Sequence, residues 1–163
     1  MSSRMDATDL QMLDLLQTNA RIPQAEIARI VGLAPSAVLE RLRKLEARGV
    51  IRGYIASIDP KALDQRLLAF VALRTADMSS EARVAQALAE VPEVLEVHQV
   101  AGDDCLLLKV RARDPEHLSQ ILRDRLGRVE GVRSTRTTIV LESIKETMAL
   151  PIDVAVDDDE VTS

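Results

Sequence analysis

Residues 24–52 read QAEIARIVGLAPSAVLERLRKLEARGVIR, and this stretch carries the strongest structural signal in the chain. One amphipathic helical pattern stops at Gly32, a residue that tolerates a left-handed backbone turn. A second pattern opens at Pro35, which suits the first turn of a helix, and ends near Gly49. Its apolar residues recur at helical spacing, at Val38, Leu42 and Leu45. Two helices joined by a glycine turn are typical of helix-turn-helix proteins.

The flanking segments complete an N-terminal domain. A helix is predicted from its capping residue Asp6 to about Thr18, with an apolar face made of Leu10, Met12, Leu13 and Leu16. The middle helix is predicted to begin near Pro23 and to direct inward Ile27, Ile30 and Val31. Residues 50–58 are rich in β-branched side chains, which favour a strand.

The remaining sequence alternates between strand and helix patterns. Strands are predicted at residues 67–75, 94–101, 105–111 and 132–141, with an edge strand or extended arm at 143–152. Helices are predicted at residues 81–91 and from Asp114 to Leu126. The order β-α-β-β-α-β is the split-βαβ, ferredoxin-like arrangement. We therefore predict an α+β protein in which a helix-turn-helix domain precedes a ferredoxin-like βαββαβ sandwich.

The predicted strands carry apolar side chains on both faces. Both alternating sets of the first strand are apolar, one being Leu68, Phe70 and Ala72 and the other Leu67, Ala69, Val71 and Leu73. Two helices can cover only one face of a four-stranded sheet, so the other face must meet another surface. The simplest partner is the same sheet of a second copy, and we predict a homodimer.

The composition narrows the class of protein. A hydrophobic fraction of 47% in 163 residues is enough for one core or two small ones. The single cysteine excludes an intrachain disulfide and fits a reducing compartment. The chain has no apolar run of about 18 residues that could span a membrane, and its N-terminus lacks the apolar stretch of a signal peptide. We therefore expect a cytoplasmic protein. One Tyr and one Phe make base stacking on aromatic side chains a poor mechanism.

Charge is unevenly distributed along the chain. Residues 1–66 contain ten Lys or Arg and eight Asp or Glu, a balance of +2, whereas residues 67–163 contain eleven and eighteen, a balance of −7. Five of these negative charges fall at the C-terminus, in a segment that has little to bury and is predicted to be disordered. The predicted organisation is a helix-turn-helix domain at 1–58, a linker at 59–66, an αβ-sandwich at 67–152 and an acidic tail at 153–163.

Motifs in both domains resemble those of one family. They are Met5–Asp9, Asn19–Arg21, Glu26–Ala28, Val38–Glu46, Gly49–Tyr54, Val100–Asp104 and Thr135–Leu141. In their order the chain is similar to the leucine-responsive/asparagine regulator (Lrp/AsnC, feast-famine) family of transcription factors, to about Ile152. The resemblance implies a winged helix-turn-helix, a C-terminal αβ-sandwich that binds amino acids, and assembly as dimers and often octamers.

Three positions depart from the family pattern. Pro23 and Ala34 stand where members often carry Ser or Thr, which removes two side-chain caps typically worth about 1 kcal/mol each. Ser36 is the substitute cap that we expect for the third helix. The loop that in many members reads Gly-Asp-aromatic-Asp is here Gly102-Asp103-Asp104-Cys105. We therefore expect a ligand preference unlike that of the commoner loop.

The third helix carries the candidate DNA contacts. Off its apolar stripe lie Ser36, Ala37, Glu40, Arg41, Arg43 and Lys44. A charged helix face is often only a solvated surface, and Glu40 can either accept from cytosine or pair with Lys44 one turn on. The preceding helices, the glycine turn and the resemblance favour contact with double-stranded DNA, in which Arg and Lys neutralise phosphates.

Gly102, Asp103 and Asp104 are candidate effector ligands. Gly and Asp are common in hairpin turns, so a plain turn is the alternative. An amino acid needs a carboxylate near its ammonium group and N–H donors near its carboxylate, and this loop offers both. Thr135 and Thr137 are equally consistent with hydrogen bonds to the ligand and with ordinary strand residues.

Catalytic, metal and cofactor sites are not predicted. His98 and His117 have no further His or Cys at metal-ligand spacing, and Cys105 has no nucleophile signature. We predict a sequence-specific DNA-binding regulator that is a homodimer, a tetramer or an octamer and that responds to a small effector. By the resemblance this effector is an amino acid. The rival hypothesis is an amino-acid-binding regulatory subunit that docks a protein partner.

Overall fold

The chain folds into two compact units in a computed structural model that describes residues 5–153. The first unit holds the described residues up to Ser57 together with those from Glu146 onward, and the second holds Ile58–Lys145. Within the described residues, no helix is long and apolar enough to cross a membrane.

Three helices build the first unit, namely α1 Ala7–Thr18, α2 Gln24–Val31 and α3 Pro35–Ala47. Asp6 caps α1 as predicted, by accepting a hydrogen bond from the Asp9 amide at 2.8 Å. Gly32 ends α2 with a φ of 69°, a left-handed conformation that glycine adopts without strain. The three helices share a core of Met12, Ile27, Ala28, Val38 and Leu42.

The helix starts differ from the prediction in two details. Pro23 is the N-cap of α2 rather than its first helical residue. Ser36 does not supply the predicted substitute cap of α3, because its side chain makes no capping hydrogen bond.

Ile30, predicted to point inward, is exposed. The buried side of α2 runs through Ile27 and Ala28, which turns Ile30 outward.

Residues 50–58 do not form the predicted strand. Their composition is suitable, but a strand needs a neighbour for its backbone hydrogen bonds, and no described strand pairs with this segment. Its start is held instead to the end of α3, where the Val50 and Ile51 amides donate to the Leu45 carbonyl oxygen at 2.9 and 3.2 Å. Further along, Ile55 and Ile58 are exposed.

The second unit is a four-stranded antiparallel sheet. Its elements are β1 Leu67–Thr75, α4 Glu81–Ala89, β2 Val94–Gln99, β3 Leu106–Ala112, α5 Pro115–Gln120 and β4 Val132–Ile139. The sheet order is β2-β3-β1-β4, so the first and third strands are central. The predicted βαββαβ order and the α+β class are therefore confirmed. A short 3-10 helix, Pro60–Leu63, precedes β1 within the predicted linker.

Alternation along the central strands separates a covered face of the sheet from an open one. The covered face contributes Ala69, Val71, Leu73, Leu106, Leu108 and Val110, which are buried with helix residues such as Val84, Leu88 and Leu118. The other side of β1 carries Ala72 and Phe70, which is 36% exposed. Directly paired residues point to the same face, so Leu107, the partner of Ala72, also lies on the open face.

Three local features follow in the second half of this unit. Asp114 caps α5 as predicted, by accepting from the His117 amide at 2.7 Å. After α5 the helix widens into a π-helical turn, Ile121–Leu126, which the apolar periodicity does not predict. Gly131, just before β4, has a φ of 98°, and a Cβ at this position would lie 2.8 Å from a methyl carbon of Val84. Only glycine fits this turn.

Residues 143–152 do not form an edge strand. Within the first unit, the backbone of Leu150 pairs twice with the side-chain amide of Gln17. The Leu150 N–H donates to Oε1 at 2.7 Å, and the Leu150 carbonyl oxygen accepts from Nε2 at 2.9 Å. These bonds satisfy backbone groups that a sheet edge would otherwise have paired. The predicted acidic tail at 153–163 lies outside the described residues except for Asp153.

Candidate nucleic-acid interface and effector site

The outer side of α3 holds the predicted DNA contacts. Ser36, Glu40, Arg43 and Lys44 are exposed, and Ala37 and Arg41 are half-buried. The predicted apolar stripe is confirmed, because all three of its residues are buried: Val38, Leu42 and Leu45. Since the helix begins at Pro35, Ser36 and Ala37 lie in its first turn, the part of a recognition helix that contacts base edges.

Glu40 and Lys44 form an ion pair across one turn of α3. Nζ of Lys44 lies 2.7 Å from Oε1 of Glu40, and this hydrogen bond holds the pKa of Glu40 below its ordinary value of 4.5. The side chains of Lys44 and Glu40 are 67% and 69% exposed, so the pair adds little stability and a phosphate can compete for the lysine. In the chain without DNA, Glu40 is therefore paired with Lys44, which is one of the two alternatives that the sequence predicts for it.

Tyr54, the last residue of the Gly49–Tyr54 motif, was not predicted as a site residue. With Arg43 and Glu46 it lines a cavity of about 290 Å³ beside α3. Its hydroxyl donates to Glu46 at 2.9 Å, and burial together with this carboxylate raises the pKa of Tyr54 to about 12. The protonated tyrosine therefore ties the segment after α3 back to the helix. No local pattern signals this contact, because the turn between the two residues is not helical.

Arg41 is held by two carboxylates at the start of α1. Its Nη1 lies 2.6 Å from Asp6 and 2.8 Å from Asp9. The hydrogen bonds to both carboxylates raise the pKa of Arg41, whereas the Asp9 amide first and Arg41 second lower the pKa of Asp6. Arg41 thus joins α3 to α1, and any contact that it makes with DNA stays a prediction.

We expect the Asp6 carboxylate to stabilise the first unit except in acid. The pKa of Asp6 lies below its ordinary 3.8 in the folded chain, so its contribution is present above 3.8 and is lost as the pH falls through the lower folded value. Asp6→Asn keeps a good helix cap but removes the charge. Its thermal midpoint should be lower than that of the parent at neutral pH, and the difference should shrink below pH 3.8.

Circular dichroism melts across a pH series measure this effect. Asp14→Asn, an exposed change on the same helix, is the control for the loss of one negative charge. A difference between Asp6→Asn and the parent that persists unchanged into strong acid would contradict the pairing with Arg41.

The loop between β2 and β3 places Asp104 between two arginines. Its carboxylate pairs with Arg136 of β4 and lies 3.5 Å from Nε of Arg74 of β1. Asp103 is exposed and makes no ion pair within the described residues. Gly102 has a φ of 138°, a conformation that favours glycine. Asp103 therefore carries the free carboxylate of the loop, while the charge of Asp104 is already compensated.

Thr135 and Thr137 lie on a different face of the sheet from the two arginines that hold the loop. They pair with Leu73 and Val71, which are buried under the helices, so the threonines point to the covered side. Arg136, between them in β4, points to the open side. Within one chain, the predicted effector residues therefore form two separate groups, one in the loop and one in β4. Contact of either group with an effector stays a prediction.

Cys105 and His98 also have side-chain partners within the second unit. The Thr75 hydroxyl donates to Sγ of Cys105 at 3.6 Å, and Nε2 of His98 lies 3.1 Å from a carboxylate oxygen of Glu96. Across residues 5–153, no group of three or more His, Cys, Asp or Glu residues is arranged to hold a metal ion.

Two domain matches agree with this geometry. Residues 5–46 match the AsnC-type helix-turn-helix domain, and residues 68–150 match the Lrp/AsnC ligand binding domain. The chain belongs to the Lrp/AsnC family. The first match covers α1 to most of α3, and the second begins in β1, so the predicted family and the order of its two domains are confirmed.

Similar Lrp/AsnC proteins span nearly the whole chain. The HTH-type transcriptional regulator FL11 of Pyrococcus horikoshii is 40% identical over 148 residues, which cover 91% of this chain and 97% of FL11. A transcriptional regulator of Neisseria meningitidis, solved with L-Met, is 31% identical with a TM-score of 0.85, covering 92% of this chain and 98% of that one. The feast or famine regulatory protein of M. tuberculosis, solved with L-methionine, is 34% identical with a TM-score of 0.84, covering 90% and 99%. This Lrp/AsnC chain is accordingly a DNA-binding transcription regulator with an effector-binding domain.

Proposed function

We propose that this regulator reads double-stranded DNA with the outer side of α3 and adjusts its assembly or its DNA binding to an amino acid. The observation that carries the proposal is the pair of exposed cations on α3, Arg43 and Lys44, in a chain of formal net charge −5. Cations concentrated on one helix attract the phosphate backbone, and the acidic remainder opposes unspecific binding.

The predicted DNA contacts divide by role. Lys44 exchanges Glu40 for a phosphate, and Arg43 neutralises a second phosphate or donates to guanine. Glu40, once released, can accept from cytosine N4. The short side chains of Ser36 and Ala37 let the start of α3 approach the base edges. Support comes from exposure and from the weak Glu40–Lys44 pair, which gives both residues freedom to change partners.

The effector site is, we infer, the Gly102–Asp104 loop completed by a second copy of the chain. Asp103 offers its free carboxylate to an ammonium group, and Asp104 anchors the loop through its two arginines. Thr135 and Thr137 point to the covered face of the sheet, away from the proposed dimer face, so we leave them out of this loop site. The methionine found in two relatives supports an amino acid as the class of ligand. A shared site couples occupancy to assembly.

The open face of the sheet supports a homodimer. Phe70, Ala72 and Leu107 form an apolar strip there, which a two-fold partner would cover with the same strip. Such a dimer presents two α3 helices to a pseudo-palindromic site, and tetramers or octamers are assemblies of these dimers. We place the regulator in the cytoplasm, with its DNA and free amino acids, and assign it no catalysis.

Calorimetry with each of the twenty amino acids tests the effector assignment. We expect at least one to bind, and Asp104→Ala to weaken its binding at least tenfold, about 1.4 kcal/mol, because the loop loses its anchor to Arg74 and Arg136. Asp103→Ala should weaken it through direct loss of the ammonium partner. Glu130→Ala, an exposed acidic change in the same unit, is the matched control and should bind like the parent.

DNA binding of Asp104→Ala without amino acid, followed by gel shift, should match that of the parent, which separates effector loss from misfolding. If no amino acid binds, or if the bound one is insensitive to both aspartate changes, the loop is only a hairpin turn.

A further inference from the structure

A cavity of the second unit lies away from the Gly102–Asp104 loop. It has a volume of about 500 Å³ and opens between the segment before β2, α5 and the π-helical turn. Ile121, which is buried, gives it an apolar wall, and its charged lining residues are Glu93, Asp124, Arg125 and Arg128. No residue of the proposed effector loop lines it.

Glu93 contributes an unsatisfied carboxylate to this cavity. Its side chain is 20% exposed, and Oε2 is buried without a hydrogen-bond partner among the described residues. A carboxylate removed from water without donors is costly, and such a group in a native fold calls for an explanation. Oε2 itself is closed to solvent, but the exposed part of the side chain lines the cavity, so a positively charged group bound there would compensate the charge of this carboxylate.

His117 stands beside this carboxylate but does not satisfy it. Its Nδ1 accepts a hydrogen bond from the Arg113 amide at 3.2 Å, so the neutral ring carries its proton on Nε2. That Nε2 lies 3.9 Å from Oε1 of Glu93, which is too far for a hydrogen bond. The imidazole is therefore oriented toward Glu93 across a gap, with an N–H that a small ligand can also use.

The remaining charges of the cavity are of both signs. Asp124 and Arg128 compensate each other, with 3.3 Å between carboxylate oxygen and guanidinium nitrogen. Arg125 is exposed and has no ion pair within the described part of the chain. One anionic group, Glu93, and one cationic group, Arg125, are thus left for a ligand. A lining with one uncompensated charge of each sign is complementary to a small molecule that carries both.

We propose that this cavity binds a small zwitterion, with an ammonium group on Glu93 and a carboxylate on Arg125. The ring N–H of His117 gives a further donor, and Ile121 accommodates a short apolar part of the ligand. The cavity is distinct from the Gly102–Asp104 loop and lies within one chain, so a zwitterion can bind there whether or not the loop binds an effector.

Proton NMR of the full chain provides a direct test, because the protein has only two histidines. His117 faces the cavity, whereas His98 lies on β2, and a His98→Gln variant assigns the two ring signals. The probes are the twenty amino acids and 4-aminobutyrate as zwitterions, putrescine as an amine alone and succinate as a carboxylate alone. We expect at least one zwitterion to shift the His117 signal saturably, with putrescine weaker and succinate inactive.

Variants then identify the groups. Glu93→Gln and Arg125→Gln should each weaken the ligand affinity measured from the His117 signal at least tenfold. Asp104→Ala, which tests the other site, should leave this affinity within threefold of the parent value. Glu93→Gln should melt no lower than the parent, because a buried amide is less costly than an unpaired carboxylate. If no probe moves the His117 signal, or if the titration ignores both glutamine variants, the proposal is overturned.

Discussion

Replacing Arg43 and Lys44 together with alanine should weaken binding to duplex DNA at least tenfold while the helical signal of the protein stays unchanged. Both side chains are exposed on α3 and neither supports the core. Each phosphate contact that is lost should also reduce the slope of log affinity against log salt by roughly 0.9. Filter binding or fluorescence anisotropy over a salt series, on fragments selected from genomic DNA with the parent protein, measures both quantities.

Two variants serve as controls for this result. Arg83→Ala with Arg133→Ala removes the same charge from exposed positions of the second unit and should leave the salt slope unchanged. Arg41→Ala should instead lower the melting temperature, because Asp6 and Asp9 lose their shared partner. Unaltered affinity and slope in the folded Arg43/Lys44 variant would remove α3 from the DNA interface. If the parent protein itself does not bind duplex DNA, the rival function is favoured, in which the chain is a regulatory subunit that docks a protein partner.

The second large effect concerns assembly. Leu107→Glu places a charge on the open face of the sheet, beside Ala72 and its neighbour Phe70. In a two-fold dimer each glutamate would be removed from water at the interface, which costs several kcal/mol per ion. We expect the dimer dissociation constant to rise at least a hundredfold, about 2.8 kcal/mol, and the protein to become monomeric at micromolar concentration.

Light scattering and sedimentation measure the mass of the parent and the variant. Met78→Glu is the matched control, because this residue is 90% exposed and lies between β1 and α4, outside the open face. It should remain dimeric. A parent that is itself a monomer, or a Leu107→Glu variant that stays dimeric, would show that something other than this face joins the copies.

The helices and strands could largely be predicted because their signals are local. Apolar side chains at helical spacing identified α3, and the bounds predicted for β1 agree with the structure. The segment at 50–58 shows the limit of such signals. Its β-branched residues are compatible with a strand, but pairing depends on a neighbour, and the described residues contain none for it.

The same limit applies to the functional residues. Glu40 and Lys44 could be paired from sequence because one helical turn separates them. Arg41 has the same sequence pattern as its neighbours, yet its partners lie 32 residues away in α1 and 35 residues away at the N-cap of that helix. Helical periodicity carries no information over such a distance. Asp104 likewise looked like a free ligand group until β1 and β4 brought Arg74 and Arg136 beside it.

The sequence by itself determined the order of elements, the two domains of the Lrp/AsnC family and which face of α3 is polar, since backbone periodicity and capping act over a few residues. Tertiary structure alone decided which of the charged residues are free. Arg43 and Asp103 have no ion pair within the described chain, whereas Arg41 and Asp104 are neutralised by distant partners. The physical reason is that Coulomb interactions and hydrogen bonds depend on distance in space, which only the packing of remote elements sets.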